Sequence, residues 1–204
     1  RPLGDIFAVQ DEIALQVTQA LELSVDPAAK ERMTGQGTSN LGAYLAFLQG
    51  RTLLANARVV DMTEAIEHFE RSVKLDPTFA GAYVSLAEAE VFLGEYEATD
   101  DRQERFKPAL LRGQELVEKA LALDPNNGAA YLQRAHLAAY ENLAAAEADY
   151  RHGLELSPNS AEGYAGLAEV VYATPSRRDE VLELLDRARK LDPLEPGHDV
   201  TKAQ

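Results

Sequence analysis

The sequence contains no cysteine and no tryptophan among its 204 residues. Without cysteine, the chain can have no disulfides, thiolate nucleophiles or cysteine-ligated zinc, and it fits either a reducing or an oxidising compartment. No run approaches the ~18 apolar residues that a transmembrane helix requires. The chain also lacks a positively charged start followed by an apolar segment, so no signal peptide is visible.

Basic residues are scarce relative to acidic ones. The 20 lysines and arginines stand against 34 aspartates and glutamates, which gives a net charge of −14. Proteins that bind nucleic acid normally present a basic surface to the phosphates, and anionic membranes likewise attract basic segments. The charge therefore argues against a nucleic-acid partner and against direct membrane contact.

Catalytic and metal-binding motifs are missing as well. No two of the four histidines form an i, i+4 pair, and the sequence has no His-Glu-x-x-His, Gly-x-Ser-x-Gly or phosphate-cradling glycine motif. Asp100 and Asp101 are adjacent carboxylates that could do acid–base chemistry, but a solvated charged loop is the simpler interpretation. We expect no catalytic residues, no cofactor and no metal site, and hence no enzyme. A hydrolase that uses these two aspartates is the outlying alternative.

Proline-marked segments recur along a chain rich in alanine, leucine and glutamate, which favour helix. Proline disfavours helix in the residue before it and is tolerated in a first helical turn. Each such segment therefore predicts the end of one helix and the start of the next. The prolines are spaced by 48, 33 and 35 residues and lie in four tripeptides: Leu75-Asp76-Pro77, Leu123-Asp124-Pro125, Leu156-Ser157-Pro158 and Leu191-Asp192-Pro193.

Two columns of residues keep a fixed distance from these prolines. Before each proline, three residues at offsets of four and three share a helix face, mostly in the order small, large, small. After three of the prolines, a tyrosine follows at six residues and an alanine four residues later, which sets a large side chain beside a small one. The first column is Ala65, Phe69, Ser72; Gly113, Val117, Ala120; Ala146, Tyr150, Gly153; and Val181, Leu185, Ala188. The second is Tyr83, Ala87; Tyr131, Ala135; and Tyr164, Ala168.

These columns and the closing proline resemble the tetratricopeptide repeat (TPR), whose period is about 34 residues. The resemblance covers roughly residues 41–193. It implies an all-α fold, a right-handed solenoid of helical hairpins with about four repeats plus an N-terminal helix. The second repeat carries about 14 extra residues at 94–107, which we expect to form a surface loop or a helical extension.

The register of the first repeat is left open by the sequence. One frame uses apolar residues early in the helix, and the other places a glycine at the small position. The competing residues are Tyr44, Phe47 and Leu48 for the first frame and Gly50 for the second.

The N-terminal region divides into two segments before the array at 41–204. Residues 1–27 are predicted to contain an amphipathic helix over 5–24, because apolar residues recur there at three- and four-residue steps. A degenerate earlier repeat is one interpretation of this helix. Residues 28–40 lose that period and are predicted to be a linker.

A ten-residue stretch at 5–14 resembles the junction after the TolB-like region of bacterial cyclase-type or winged-helix signalling proteins. This resemblance implies that the chain is a fragment of a larger signalling or regulatory protein. The compartment stays open: cytoplasmic, or periplasmic if a membrane span lies upstream in the full-length protein.

In the tetratricopeptide family, the first helix of each unit lines a concave binding face. Steps of about four residues from each tyrosine trace that stripe here. We predict a partner-binding groove formed by Val84, Glu88, Phe92, Gln133, His136, Tyr140, Glu169 and Tyr172. Packing between repeats or plain solvent exposure would account for the same residues.

The stripe contains no fixed cation, and its aromatic side chains suit apolar anchors or the cations of arginine and lysine. We therefore expect a protein or peptide partner with an apolar or basic segment, not an acidic C-terminus. The predicted function is a protein-interaction scaffold. The alternative is a regulatory module that acts on an attached cyclase or DNA-binding domain without a separate ligand. The sequence fixes neither the partner nor the oligomeric state.

Overall fold

The computed structural model describes residues 27–55, 58–97 and 102–193. Within these ranges the chain forms nine α-helices and one short 3-10 turn, with no strand. The helices are α1 Pro27–Gly35, α2 Leu41–Leu54, α3 Val59–Leu75, α4 Ala80–Glu97, α5 Arg102–Leu123, α6 Gly128–Ala138, α7 Leu143–Leu156, α8 Ala161–Tyr172 and α9 Arg178–Leu191, with the 3-10 turn at Pro175–Arg177.

The helix boundaries follow the proline-marked tripeptides. Helices α3, α5, α7 and α9 each end at the leucine of one tripeptide, because the residue before a proline disfavours helical backbone. Side-chain caps begin several of the other helices: the backbone N–H of the third helical residue donates to the cap oxygen at 3.0–3.1 Å. These capping residues are Asn40, Asn127, Asn142 and Ser160.

The chain divides into two compact units, Arg1–Ala82 and Tyr83–Gln204. In the first unit, α2 and α3 pack as a hairpin. The Ser72 hydroxyl donates a 2.8 Å hydrogen bond to the Ala43 carbonyl across the hairpin. A Cβ at Gly50 would lie 2.6 Å from the buried Phe69 ring, so the two helices can approach this closely only where the side chain is absent. Gly50 therefore takes the small position, which settles the register left open by the sequence.

The first unit also corrects one local expectation. Residues 28–40 were predicted to be a linker because they lose the apolar period, but α1 occupies most of that segment. The lost apolar period is real, since Met33 is buried while its described neighbours in α1 are exposed. Two hydrogen bonds connect the chain after α1 to the end of α3. Thr38 Oγ1 donates to Asp76 Oδ2 at 2.5 Å, and Asn40 Nδ2 donates to the Leu75 carbonyl at 2.9 Å.

In the second unit, α6 pairs with α7 and α8 pairs with α9. The repeat columns form the core between them, and Tyr150 is its large central side chain at 4% exposure. Around this ring the buried members are small or aliphatic: Ala135, Ala146, Leu154, Leu167, Ala168, Val170, Val171 and Val181. The predicted all-α fold of helical hairpins is confirmed.

The 94–107 insertion lengthens two helices. It extends α4 to Glu97 and begins α5 at Arg102, as one of the two expected outcomes. The helices approach closely there, since a Cβ at Gly94 would lie 2.6 Å from the Ala109 Cβ. Residues 98–101, with Asp100 and Asp101, lie outside the described residues, and so does the predicted N-terminal helix.

No helix in the described ranges has the length and apolar character needed to cross a membrane.

Candidate interaction site

The predicted stripe lies entirely in the second unit, on α4, α6 and α8 and the residues just after α6. These are the opening helices of successive hairpins. The side chains differ in how much surface they offer. Glu88, Phe92, Gln133 and His136 are half-buried, Tyr140, Glu169 and Tyr172 are exposed, and Val84 is buried.

Three members of the stripe meet as a row of rings. The Phe92 and His136 ring centroids are 6.3 Å apart, and those of His136 and Tyr140 are 5.7 Å apart, both edge to face. Phe106 of α5 extends the row, with its centroid 4.8 Å from that of Tyr140. Edge-to-face contacts of this kind add stability beyond the area they bury. The row leaves Tyr140 47% exposed.

Glu95 lies beside this row, one turn after Phe92 on α4. It accepts a hydrogen bond from the Tyr140 hydroxyl. His136 Nε2 is 3.6 Å from Glu95 Oε1, too far for a hydrogen bond, so that contact is electrostatic. Partial burial acts to raise the pKa of Glu95, but His136 and Tyr140 outweigh it and leave the pKa below its ordinary value. Glu95 is therefore an ionised, half-buried carboxylate at neutral pH.

Burial and neighbouring charge raise the pKa of two tyrosines, Tyr140 and Tyr150. Partial burial, and then the Glu95 carboxylate, raise the pKa of Tyr140. Burial raises the pKa of Tyr150, and the Glu169 carboxylate contributes to the rise at both tyrosines. Both phenols stay protonated at neutral pH, so Tyr140 acts as a hydrogen-bond donor. Glu169 extends the negative potential of the stripe to α8.

Gln133 and Val84 depart from a simple exposed stripe. The Nε2 atom of Gln133 is buried and has no hydrogen-bond partner among the described residues, a costly state for an amide donor. Val84 is only 7% exposed. It therefore packs inside the chain and has little surface for a partner, at odds with its predicted place in the groove.

Sequence reasoning missed Glu95 and Phe106. Both belong to the 94–107 segment, which was treated as a charged insertion separate from the stripe. A usable signal was present, because Glu95 follows Phe92 by three residues and would share its face if the helix continued. Within the described ranges, no group of three or more histidine, aspartate or glutamate residues could hold a metal ion.

Comparison with known proteins places the fold. The structure resembles that of TTC0263, a thermophilic TPR protein of Thermus thermophilus, with a TM-score of 0.64 and 24% identity, over 95% of this chain and 92% of that chain. A second solved structure, that of MamA, has a TM-score of 0.47 and 18% identity, over 83% of this chain and 96% of that one. No protein-family model matches the chain. The fold is of the tetratricopeptide type.

One curated relative is similar in sequence. The protein named "Putative adenylate cyclase 3" from Rhizobium meliloti (strain 1021) is 31% identical over 87 residues, which is 43% of this chain. The match spans 15% of the length of that relative.

Proposed function

We propose that this chain is a protein-interaction scaffold whose second unit binds a segment of a partner protein on the stripe of α4, α6 and α8. The observation that carries the proposal is the row of Phe92, His136 and Tyr140 beside the ionised Glu95. It offers ring surface and a negative charge at the same place. Interfaces commonly concentrate their binding energy on a few such aromatic anchors.

The charge of the stripe favours an apolar or basic segment. Glu88 and Glu169 are its ionisable side chains apart from His136 and the tyrosines, and Glu95 lies beside it. A partner carboxylate placed beside one of them would be repelled by roughly 1 kcal/mol per close pair in water, and more where water is excluded. A basic side chain would gain by the same argument. The proposed contact residues are therefore Glu88, Phe92, Glu95, Gln133, His136, Tyr140, Glu169 and Tyr172.

A peptide array scored at two salt concentrations tests this function. Basic or apolar peptides are expected to bind best, and Tyr140→Ala should weaken the best of them about fivefold or more, since a cation–π or anchor contact is worth about 1 kcal/mol or more. Leu143→Ala is the matched control, because Leu143 is similarly exposed, at 46%, on the second helix of the same hairpin. Preference for acidic C-terminal peptides, or equal losses from both variants, would rule out this binding surface.

A regulatory module within a longer signalling protein is the second candidate. The 31% identity with a protein named as an adenylate cyclase supports it, and so does the resemblance of residues 5–14 to the junction in cyclase-type proteins. The two candidates differ in one measurement on the full-length protein. Loss of peptide binding by Tyr140→Ala without any change in an attached activity favours the scaffold, whereas a changed activity without a peptide ligand favours the module.

A further inference from the structure

We infer that Glu95, Phe92, His136 and Tyr140 form a subsite for the guanidinium group of an arginine in the partner. The inference rests on the proposed function and makes it more specific, since it names one anchor side chain and one carboxylate. The argument starts from the ion pairs of the second unit.

Two partly buried carboxylates elsewhere in this unit, Asp149 and Glu147, are paired with arginine. Asp149 accepts two hydrogen bonds from Arg134, at 2.7 and 2.8 Å. Glu147 accepts two from Arg177, at 2.7 and 2.8 Å. Glu95 is exposed to a similar degree, at 34% of its side chain, yet its contacts in the described residues are a phenol and a histidine. An ionised carboxylate in such a position has electrostatic capacity for a cation, and none of the described side chains is seen to supply one there.

The surroundings of Glu95 fit arginine in particular. A guanidinium is flat, so it stacks on aromatic faces while its N–H groups reach a carboxylate in a fork. Phe92, His136 and Tyr140 supply rings within one contiguous row next to that carboxylate. Lysine carries its charge on a compact ammonium that is more strongly hydrated and cannot stack in this way. The geometry therefore favours arginine over lysine.

The Nε2 atoms of Gln133 and His136 are both buried without a hydrogen-bond partner among the described residues. Gln133 precedes His136 by three residues on α6, so the two share a helix face. Its unpaired Nε2 can donate only, so its missing partner is an acceptor. The backbone carbonyls that flank an arginine in a peptide are acceptors of this kind. An arginine-containing segment that reached both groups would supply a cation for the carboxylate and an acceptor for the amide.

Titration with blocked amino acids, followed by NMR of the His136 and Tyr140 rings, tests the subsite. The probes are the Nα-acetyl methylamides of arginine, lysine and norleucine. The arginine probe should shift both rings saturably, and the lysine and norleucine probes should bind about tenfold more weakly or not at all. Glu95→Gln should weaken the arginine probe about tenfold, whereas Glu155→Gln, at an exposed glutamate of α7, should leave it unchanged.

Equal binding of arginine and lysine, or unchanged arginine binding to Glu95→Gln, would overturn the subsite. If Glu95→Gln fails to fold by circular dichroism, Phe92→Leu decides, since it keeps an apolar side chain and removes the ring. Weakened arginine binding by that variant supports the subsite, and unchanged binding overturns it. The peptide array separates the two proposals: peptides that bind without any need for arginine leave the scaffold standing and remove the subsite. If the arginine probe binds but no peptide on the array does, the subsite stands and the scaffold is ruled out.

Discussion

Tyr150 shows how one side chain organises a repeat. Its ring is nearly buried among small neighbours, with Ala146 and Gly153 on its own helix. A Cβ at Gly166 of α8 would overlap its hydroxyl, so the large residue of one hairpin is accommodated by a glycine on the next. This is the packing that the small–large–small column predicts.

Tyr150→Ala should cost on the order of 3 kcal/mol of unfolding free energy, because truncating a buried ring leaves a cavity that the fixed helices cannot close. Urea denaturation followed by circular dichroism measures the loss. Tyr172→Ala is the matched control, since Tyr172 is 68% exposed and its loss should stay within about 0.5 kcal/mol. A wild-type midpoint for Tyr150→Ala would contradict the assignment of the column.

At the same scale, the sequence predicts core residues better than surface ones. The alanines that follow the repeat tyrosines, Ala87, Ala135 and Ala168, are all buried as the column requires. Val84 was placed in the groove by counting steps from Tyr83, yet it is buried. A helix in a hairpin array packs on more than one side, so a step of four residues alone cannot tell an open face from one that contacts a neighbour.

Ion pairs between elements are the part of the helix packing that the sequence did not predict. Arg177, in the 3-10 turn before α9, donates to Glu147 of α7 and to Glu180 of α9. Arg151 of α7 joins the same two carboxylates. The Glu147–Arg151 and Arg177–Glu180 pairs have the four- and three-residue spacings that a sequence reveals. The Arg177–Glu147 and Arg151–Glu180 contacts depend on how the hairpins meet.

Arg177→Gln should lower stability only slightly near neutral pH, since these groups are partly exposed and water screens them. Hydrogen bonds from Arg177 lower the pKa of Glu147 to about 2, against 4.5 for an ordinary glutamate. Because the folded-state pKa is depressed, the stabilisation is complete above about pH 4.5 and is lost as the pH falls towards 2. The difference in melting temperature between wild type and Arg177→Gln should therefore shrink across that window.

Arg189→Gln provides the comparison for Arg177→Gln. Arg189 lies on α9 and is about half exposed, in a single 3.5 Å pair with Asp186. Its replacement should leave the melting temperature nearly unchanged at every pH. An Arg177→Gln difference that stays constant down to pH 2 would show that the network does not titrate as described.

The extent of the helices was only partly predictable. The leucines before the prolines mark four helix ends because backbone sterics decide them locally. The helix over 27–35 was missed because only one described side chain in it, Met33, is buried, so no apolar period reveals it. The extension of α4 as far as Glu97 was one of two options, since the charges of that segment suit an exposed loop or an exposed helix equally.

At the scale of the whole molecule, the sequence predicts the fold class more readily than the site, and the basic or apolar character of the partner stays a prediction. The repeat columns suffice for the tetratricopeptide fold, because each hairpin repeats the same local packing. The site also includes Phe106 and Glu95, which contact Tyr140 although they lie far from it in the sequence. The spacing from Phe92 to Glu95 places the two on one helix face, but the contacts that both Glu95 and Phe106 make with Tyr140 have no fixed spacing in the chain and leave no sequence signature.

The net charge of −14 leads to the last prediction, which concerns the rate of association. A basic peptide approaching a strongly acidic protein is steered over distances comparable to the Debye length, which is ~10 Å at 0.1 M salt and ~3 Å at 1 M. Its association rate constant should therefore fall about tenfold between about 0.05 M and 0.5 M salt. The dissociation rate constant should change much less, because short-range ring contacts are screened weakly. Stopped-flow fluorescence with an arginine-containing peptide measures both, and the same peptide with norleucine in place of each basic residue should show little salt dependence of association. If the two peptides respond to salt alike, long-range charge does not guide binding, and the preference for a basic partner must come from the local contacts at Glu95 alone.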